Sequence, residues 1–202
     1  MKRARLRIPS SAGFIETLVN DPGSERRGLV FIAHPHPLHG GTLDNKVVQS
    51  IAQLCHEQGM VAVRPNFRGV GQSDGAYTGG DGETEDMLCV IEFVRAHYDT
   101  ALPILLAGFS FGGYVQHRVA QQLAPQHLLL ISPAVNLYDF GELPAQTTII
   151  HGEQDEIVPF DAAWKFALAQ RTEFRPIAGA GHFYHGKLGE LKLEALAACH
   201  RS

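Results

Sequence analysis

The fold of this chain is decided by residues 104–112, whose sequence is ILLAGFSFG. The last five residues match the pattern G-x-S-x-G, with Ser110 at its centre. The apolar run Ile104 to Ala107 predicts a buried strand, and Tyr114 to Leu123 has the apolar spacing of a helix. A serine between such a strand and such a helix is typical of a sharp turn that raises its hydroxyl above the sheet edge. The pattern therefore predicts that Ser110 is a nucleophile.

Two glycines, Gly108 and Gly112, flank this serine. Because glycine has no Cβ, these positions let the strand and the helix approach closely and adopt dihedral angles that other residues resist. The alternative is a glycine-rich strand end with an uninvolved serine, since short motifs also occur by chance. The acid and the base described below argue against that alternative.

Length and composition favour one domain over residues 1–202, long enough to bury a core without disulfides or a structural metal. Cys55, Cys89 and Cys199 are far apart and lie in helical patterns, so we expect reduced, buried thiols. The basic start of the chain leads into a Pro-Ser-Ser turn rather than the apolar core of a signal peptide. No apolar run approaches the roughly 20 residues that span a bilayer. We expect a cytoplasmic protein that does not enter a membrane.

Charge and motif content exclude several classes of ligand. The formal charge is −4 with both signs mixed along the chain, so there is no basic stripe for nucleic acid. Residues 34–39 (HPHPLH) are rich in histidine, but prolines stiffen this loop, whereas metal ligands normally come from elements that fix their geometry. Residues 69–71 (GVG) resemble part of a dinucleotide loop, but the next glycine, Gly75, comes one residue late. We expect neither a metal nor a cofactor.

The order of apolar segments predicts the fold class. Alternating residues around a Pro-Ser-Ser-Ala turn indicate an antiparallel hairpin of Arg3–Ile8 with Gly13–Val19. Strands then alternate with helices, which predicts an α/β fold with a mostly parallel sheet covered on both faces. The expected strands are Leu29–Ala33, Met60–Val63, Ile104–Ala107, His127–Ile131, Thr147–Ile150 and Phe174–Ile177. The expected helices are Asn45–Gln58 with Asp44 as its cap, Glu83–Tyr98, Tyr114–Leu123, Phe160–Gln170 and Leu188–His200.

In such a sheet, catalytic groups lie on loops at the carboxyl ends of the strands. Asp155 follows the strand Thr147–Ile150, and His182 follows the last strand. A weakly nucleophilic serine needs an imidazole to remove its proton, and a carboxylate to orient that ring and stabilise the imidazolium. We predict a triad in which Ser110 attacks, His182 transfers the proton and Asp155 orients the histidine.

Other acids and bases lie near these positions, namely Glu153, Glu156, His151 and His185, with Asp139 after the preceding strand as a reserve acid. We prefer Asp155 because the turn at Gly152 and the pair Val158-Pro159 direct it back over the sheet. His185 lies three residues beyond His182, close to the terminal helix, so we expect it at the surface.

A serine nucleophile also needs backbone N–H groups aimed at the oxyanion that forms on its substrate. One is expected from Phe111, the residue after the nucleophile. The second is expected from the loop after Leu29–Ala33, where two prolines have no N–H to donate. We predict the backbone of His36 as this donor, with Leu38 as the alternative.

With a serine, an acid and a base in this chain order, the sequence resembles the α/β-hydrolase superfamily over nearly its full length. It resembles more closely a group of small bacterial hydrolases near the dienelactone-hydrolase branch. Five segments carry that likeness: His34-Pro35-His36-Pro37, Gly40-Gly41, Asp44-Asn45-Lys46, Asn66-Phe67-Arg68-Gly69-Val70-Gly71 and Gly181-His182-Phe183. The resemblance implies a serine esterase with the α/β-hydrolase fold and no lid. Dienelactone hydrolases use cysteine, so Ser110 departs from their pattern and argues against a lactone substrate.

Residues 132–146 are too few for a helical lid, which predicts an open cavity and a small-molecule ester with a short acyl chain as substrate. Thioesters or small peptides are alternative substrates of the same mechanism. A noncatalytic binding protein is the alternative of another class. We expect a monomer or homodimer.

Arg68 is expected to brace its loop or to meet a substrate carboxylate. The expected apolar lining is Tyr138, Phe140, Phe109 and Phe111.

Overall fold

The structure is a computed structural model that describes residues 2–23 and 25–199. The strands are β1 (Lys2–Ser10), β2 (Gly13–Asp21), β3 (Gly28–Ala33), β4 (Met60–Pro65), β5 (Ile104–Phe109), β6 (His127–Ile131), β7 (Thr147–Gly152) and β8 (Glu173–Ile177). The helices are α1 (Lys46–Glu57), α2 (Asp81–Arg95), α3 (Phe111–Ala120), α4 (Phe160–Gln170) and α5 (Leu188–Cys199). From β3 onward the strands and helices alternate, except that β7 follows β6 without an intervening helix, as the apolar pattern predicts.

All eight strands belong to one sheet with the order β1-β2-β4-β3-β5-β6-β7-β8. The β1–β2 hairpin is antiparallel and joins β4 in an antiparallel pairing, whereas the pairings from β4 to β8 are parallel. The predicted fold class is confirmed. Because the parallel strands share one direction, the loops that follow β3, β5, β7 and β8 emerge at the same edge of the sheet.

Helices cover both faces of the sheet and bury a separate apolar cluster on each. One cluster contains Val90 of α2, Val115 of α3 and Ala167 of α4. The other contains Ile51 of α1 and Leu191 of α5. The inner strands are therefore buried on both faces, and their sequences are nearly continuous apolar runs.

The starts of α1, α2 and α3 differ from the sequence prediction. The cap of α1 is Asn45 rather than Asp44, because Asn45 directly precedes the helix and its Oδ1 accepts the Val47 N–H at 2.9 Å. The helix α2 begins at Asp81 instead of Glu83, because the Glu83 carboxylate accepts the Gly80 N–H at 2.7 Å and closes the first turn.

The start of α3 matters most for the site. This helix begins at Phe111, directly after Ser110, and not at Tyr114 as predicted. At the other end of the chain, α5 is described to Cys199, so the predicted end at His200 and the side chain of Cys199 lie outside the described residues. Cys55 is buried and Cys89 is half-buried.

The segment from 132 to 146, between β6 and β7, contains turns and extended chain but no helix. No lid therefore covers the carboxyl edge of the sheet at this point, as predicted. Within residues 2–23 and 25–199, every helix is too short or too polar to cross a bilayer.

Candidate active site

Ser110 occupies a strained turn between β5 and α3. Its backbone has φ 55° and ψ −118°, a region that residues with a Cβ rarely adopt. The turn is held by the Ser110 N–H, which donates to Ile131 O at 2.9 Å, and by the Gly113 N–H, which donates to Ser110 O at 2.9 Å. This geometry is that of the predicted nucleophile turn.

The two flanking glycines are required by close packing. A Cβ on Gly108 would lie 2.3 Å from Gly112 O, so the strand and the helix touch through their backbones. A Cβ on Gly112 would lie 2.4 Å from Ala33 O on the neighbouring strand β3. Any side chain at either position would push α3 away from the sheet and displace Ser110.

Asp155 and His182 meet at the ends of β7 and β8. The His182 Nδ1 lies 2.8 Å from Asp155 Oδ2 and 3.0 Å from Oδ1. A Cβ on Gly152 would lie 2.3 Å from Ala180 O, so the glycine at the end of β7 allows the two loops to approach. The structure therefore brings together the acid and the base that the sequence pairs.

Asp155 is held in its ionised form. Burial opposes ionisation, but hydrogen bonds from His182, Val158 N–H and Ile157 N–H outweigh it, and the pKa of Asp155 lies below its ordinary value. An ionised carboxylate only accepts hydrogen bonds, so the proton of His182 is on Nδ1. The Nε2 of His182 then has a free lone pair with which to act as a base.

The competing acids and bases have other partners. Glu156 is exposed, and its Oε2 accepts the His182 N–H at 3.1 Å, so it holds the base through the backbone. The His151 ring is fully buried, and its Nε2 donates to Val158 O at 3.0 Å. His185 is exposed, as expected. Glu153 and Asp139 make no contact with His182 among the described residues.

The two predicted oxyanion donors lie on adjacent loops. Across residues 2–23 and 25–199, the N–H groups of His36 and Phe111 have no hydrogen-bond acceptor. Leu38, the alternative, donates its N–H to His36 Nδ1 at 3.2 Å and is engaged. His36 and Phe111 also line the same cavity as Ser110. Both backbones are thus available to an oxyanion, whereas that of Leu38 is not.

The first histidine of the 34–39 loop has a structural role. The His34 ring is fully buried, with Nδ1 2.7 Å from Pro35 O and Nε2 accepting the Phe67 N–H at 3.0 Å. Burial lowers the pKa of His34 to about 4, so the ring is neutral at physiological pH. Through this ring the loop after β3 is tied to the loop after β4.

Ser110 and His182 open into one cavity of about 370 Å³. Its apolar wall contains Ala134, Leu137, Ile157, Phe111 and Phe183, and its polar wall contains His36, His39, Asn45 and Tyr138. Of the four aromatic residues expected here, Tyr138 and Phe111 line the cavity. Phe109 instead packs against the His182 ring at 5.0 Å, and Phe140 packs behind Tyr114 at 5.6 Å.

Arg68 braces its loop and does not reach the cavity. Its Nε and Nη2 bind both oxygens of Asp86, at 2.7 and 2.9 Å. In the same loop, the Ser73 hydroxyl donates to Asn66 O at 2.8 Å. The bracing role expected for Arg68 is the one that the geometry supports.

Sequence reasoning did not identify Tyr77, whose hydroxyl lies 3.1 Å from His36 Nε2 and 3.3 Å from the Tyr138 hydroxyl. Tyr184 was also missed, although it follows the predicted base closely. Its ring is fully buried and its hydroxyl lies 2.9 Å from Ser132 Oγ, which fastens the loop of His182 to the end of β6. No local sequence pattern predicts either role, because the hydrogen-bond partner of each tyrosine is more than 40 positions away in the chain.

Comparison with known proteins places this geometry among serine hydrolases. The family model described as X-Pro dipeptidyl-peptidase (S15 family) matches residues 15–143, which include Ser110 but neither Asp155 nor His182. An uncharacterized protein of Rickettsia prowazekii (strain Madrid E) is 32% identical over 192 residues, covering 88% of this chain and 81% of that protein.

Two solved structures are similar over nearly the whole chain. A serine hydrolase without lid from Xanthomonas campestris has a TM-score of 0.94 and 35% identity, covering 100% of this chain and 95% of its own. An alpha-beta serine hydrolase homologue from Coxiella burnetii has a TM-score of 0.89 and 39% identity, covering 95% of both chains. The similarity thus includes the regions of the acid and the base that the family model does not reach.

Proposed function

Because the chain belongs to the X-Pro dipeptidyl-peptidase (S15) family and is a serine hydrolase of the α/β fold, we propose that it cleaves small or short-acyl carboxylic esters through Ser110, His182 and Asp155. One observation carries this proposal. Ser110 and His182 line one cavity, while Asp155 holds the other nitrogen of the His182 ring at 2.8 Å. A strained serine that shares a cavity with a base of fixed tautomer supports acyl transfer.

The first half of the reaction acylates the serine. The Ser110 hydroxyl attacks the ester carbonyl while His182 Nε2 takes its proton, and the carbonyl oxygen becomes an oxyanion. The free N–H groups of His36 and Phe111 stabilise that charge. The tetrahedral intermediate then collapses, the C–O bond to the alcohol breaks, and the imidazolium of His182 gives its proton to the departing oxygen.

The second half releases the acid. Water enters in place of the alcohol, His182 removes one of its protons, and the hydroxide oxygen attacks the acyl carbon. The second intermediate collapses to a carboxylic acid, and the proton returns to Ser110. Asp155 remains ionised throughout and stabilises the imidazolium, which is consistent with its lowered pKa.

The cavity favours a small, uncharged acyl group. Its volume of about 370 Å³ is near the lower end of the roughly 300–1,000 Å³ typical of ligand sites. Across the described residues, no Asp or Glu side chain lines it. A neutral ester can therefore be desolvated here without leaving a charge unpaired.

Release of X-Pro dipeptides from the amino terminus of a peptide is the second candidate, because the matching family is described by that activity. Such a substrate carries an α-ammonium group, which needs a carboxylate or several acceptors when it is taken out of water. The polar side chains that line the cavity, besides those of Ser110 and His182, are His36, His39, Asn45 and Tyr138, and none of them is a carboxylate. This lining supports esters over dipeptides with a free amino terminus.

The test compares substrates under one assay. We expect p-nitrophenyl acetate and butyrate to be cleaved faster than p-nitrophenyl octanoate, with Gly-Pro-p-nitroanilide and butyryl-CoA as the rival substrates. Preferred cleavage of the anilide or the thioester would reassign the substrate class. A fluorophosphonate probe should label the wild type and not the Ser110→Ala variant. An unlabelled wild type would favour the noncatalytic binding protein.

A further inference from the structure

A second cavity, of about 290 Å³, lies between α1 and the strands β2 and β4. It is lined by Asn20, Lys46, Gln49, Ser50, Ala52, Gln53, His56, Arg64 and Leu188. The positions 46, 49, 50, 53 and 56 follow helical spacing, so one face of α1 forms a wall. None of these residues lines the cavity of Ser110.

Arg64 is the unusual group of this cavity. It is only 6% exposed, yet no carboxylate lies within ion-pair distance of it among the described residues. Two of its five N–H groups are engaged, by Leu43 O at 3.0 Å and by Asn20 Oδ1 at 3.4 Å. Its Nε is buried without an acceptor. Buried charges are normally paired in direct contact, whereas none of the described carboxylates forms an ion pair with this guanidinium.

Several cations and one acid, Asp44, act on Arg64, and of these cations Arg5 forms an ion pair with Glu16. In the register of the sheet, Arg5 pairs with Leu18, which pairs with Arg64, so all three lie in one row on the same face. Lys46 adds a second cation to the cavity wall, and no Asp or Glu of the described chain lines it. Burial lowers the pKa of Arg64; the charge of Asp44 opposes this effect, whereas Arg3 and Arg5 add to it.

We propose that this cavity binds a small oxyanion, a phosphate or a carboxylate, between Arg64 and Lys46. A guanidinium presents a planar fork that matches two oxygens of such a group, and the ammonium of Lys46 adds a point charge. The Gln49 and Gln53 amides each donate one N–H, to Asp44 O and to Glu57 Oε1, and each has a second N–H for the anion, whereas the Ser50 hydroxyl is engaged by Lys46 O. The site does not depend on the chemistry proposed at Ser110.

The anion site adjoins the active-site loop. Arg64 Nη1 donates to Leu43 O, and Leu43 N–H donates to Asn66 Oδ1 at 2.8 Å. Gly41 and Asn45, on either side of Leu43, line the cavity of Ser110. The segment 41–45 thus lines the cavity of Ser110 and is hydrogen-bonded to Arg64 of the second cavity, so an anion beside Arg64 would stabilise it from the side away from the substrate.

The experiment is a titration with inorganic phosphate and, separately, with acetate, at constant ionic strength, followed by thermal unfolding and calorimetry. We expect one of these anions to raise Tm with a saturating dependence, since it binds only the folded chain. In Lys46→Gln the half-saturating concentration should rise about two- to fivefold, as for an exposed charge pair. In Arg64→Gln saturable binding should be lost.

The matched control is Lys165→Gln, which removes an exposed lysine from α4 and should bind as the wild type does. Ser110→Ala should also bind normally, whereas an anion held in the catalytic cavity would bind Lys46→Gln as tightly as the wild type. If Arg64→Gln does not fold, the comparison of Lys46→Gln with Lys165→Gln decides. No saturable effect of either anion on the wild type, or equal saturation in the two lysine variants, would overturn the proposal. A general salt effect would be non-saturating and the same in all variants.

Discussion

The hydroxyl groups of Tyr77 and Tyr138 lie 3.3 Å apart, at the end of a hydrogen-bond chain that begins at the backbone of Leu38. The Leu38 N–H donates to His36 Nδ1, so this nitrogen carries no proton. Burial and the neighbouring His39 lower the pKa of His36, which keeps the ring neutral and places its proton on Nε2. Nε2 then donates to the Tyr77 hydroxyl, and we infer that Tyr77 in turn donates to Tyr138. Tyr138 thereby retains its own proton for a group in the cavity that it lines.

Because Tyr138 is then a hydrogen-bond donor in the cavity, we expect the enzyme to favour substrates that carry an acceptor atom. We expect Tyr138→Phe to lower kcat/KM for p-nitrophenyl methoxyacetate about 3–10-fold, the cost of one neutral hydrogen bond. The butyrate ester has the same shape without the acceptor, so its kcat/KM should change little. The measurement is the ratio of the two values in each enzyme, because the two esters differ in reactivity. An unchanged ratio would contradict the prediction.

The oxyanion assignment predicts different effects of two substitutions at one position. His36 has φ −51°, which proline can adopt, so His36→Pro removes the N–H without forcing a new backbone angle. We expect it to lower kcat about 10²–10³-fold, the usual effect of losing one oxyanion donor. His36→Ala removes only the ring and keeps the N–H, so it should retain most of the turnover. Equal losses of kcat in both variants would mean that turnover needs the ring of His36 and not its backbone N–H.

The identity of the base predicts that His182→Ala loses far more turnover than His185→Ala, because only His182 is held by Asp155. Asp155→Asn should lower kcat about 10⁴-fold, because an amide favours the wrong tautomer of the ring. Steady-state kinetics with p-nitrophenyl acetate checks both expectations. Greater loss in His185→Ala would refute the choice of base.

Packing at the serine turn predicts a contrast between two neighbouring glycines. In Gly112→Ala the new methyl group would lie 2.4 Å from Ala33 O, which forces α3 off the sheet and should abolish activity and lower Tm. In Gly113→Ala the nearest atom would be 3.4 Å away, an ordinary contact. This control should fold normally and gain about 0.5–1 kcal/mol of helix stability. Circular dichroism melts and probe labelling distinguish the two outcomes.

The buried His34 predicts acid sensitivity of the fold. Its pKa falls from 6.5 to about 4 on folding because burial disfavours the charged ring. Between these pH values the unfolded chain binds a proton that the folded chain does not, so the free energy of unfolding decreases as pH drops. The expected contribution is about 3 kcal/mol over that range.

Urea unfolding at a series of pH values measures this effect. In His34→Gln the free energy of unfolding should be lower at neutral pH, and its decline between pH 6.5 and 4 should be shallower than in the wild type. The control is His185→Gln, which removes an exposed histidine and should keep the wild-type slope. Equal slopes in all three proteins would show that His34 is not the titrating group.

The sequence alone determined the sheet, the direction of its strands and the three residues of the proposed triad. Each of these depends on local information, namely an apolar run, a glycine-flanked serine, or a polar residue directly after a strand. Parallel strands place their carboxyl ends at one edge, so the loops of Ser110, Asp155 and His182 had to emerge together. Helix starts were less certain, because a cap depends on which side chain reaches the first N–H groups. Asn45 rather than Asp44 does so here.

Only the tertiary structure decided which polar groups meet across distant loops. Glu156 holds the backbone of His182 instead of its ring, and Tyr77 joins His36 to Tyr138. In the same way, that no described carboxylate forms an ion pair with Arg64 is visible only once β2, β4 and α1 are packed. These contacts depend on where the side chains lie, and those positions are set by the packing of loops that are far apart in the chain. No local pattern of residues encodes them.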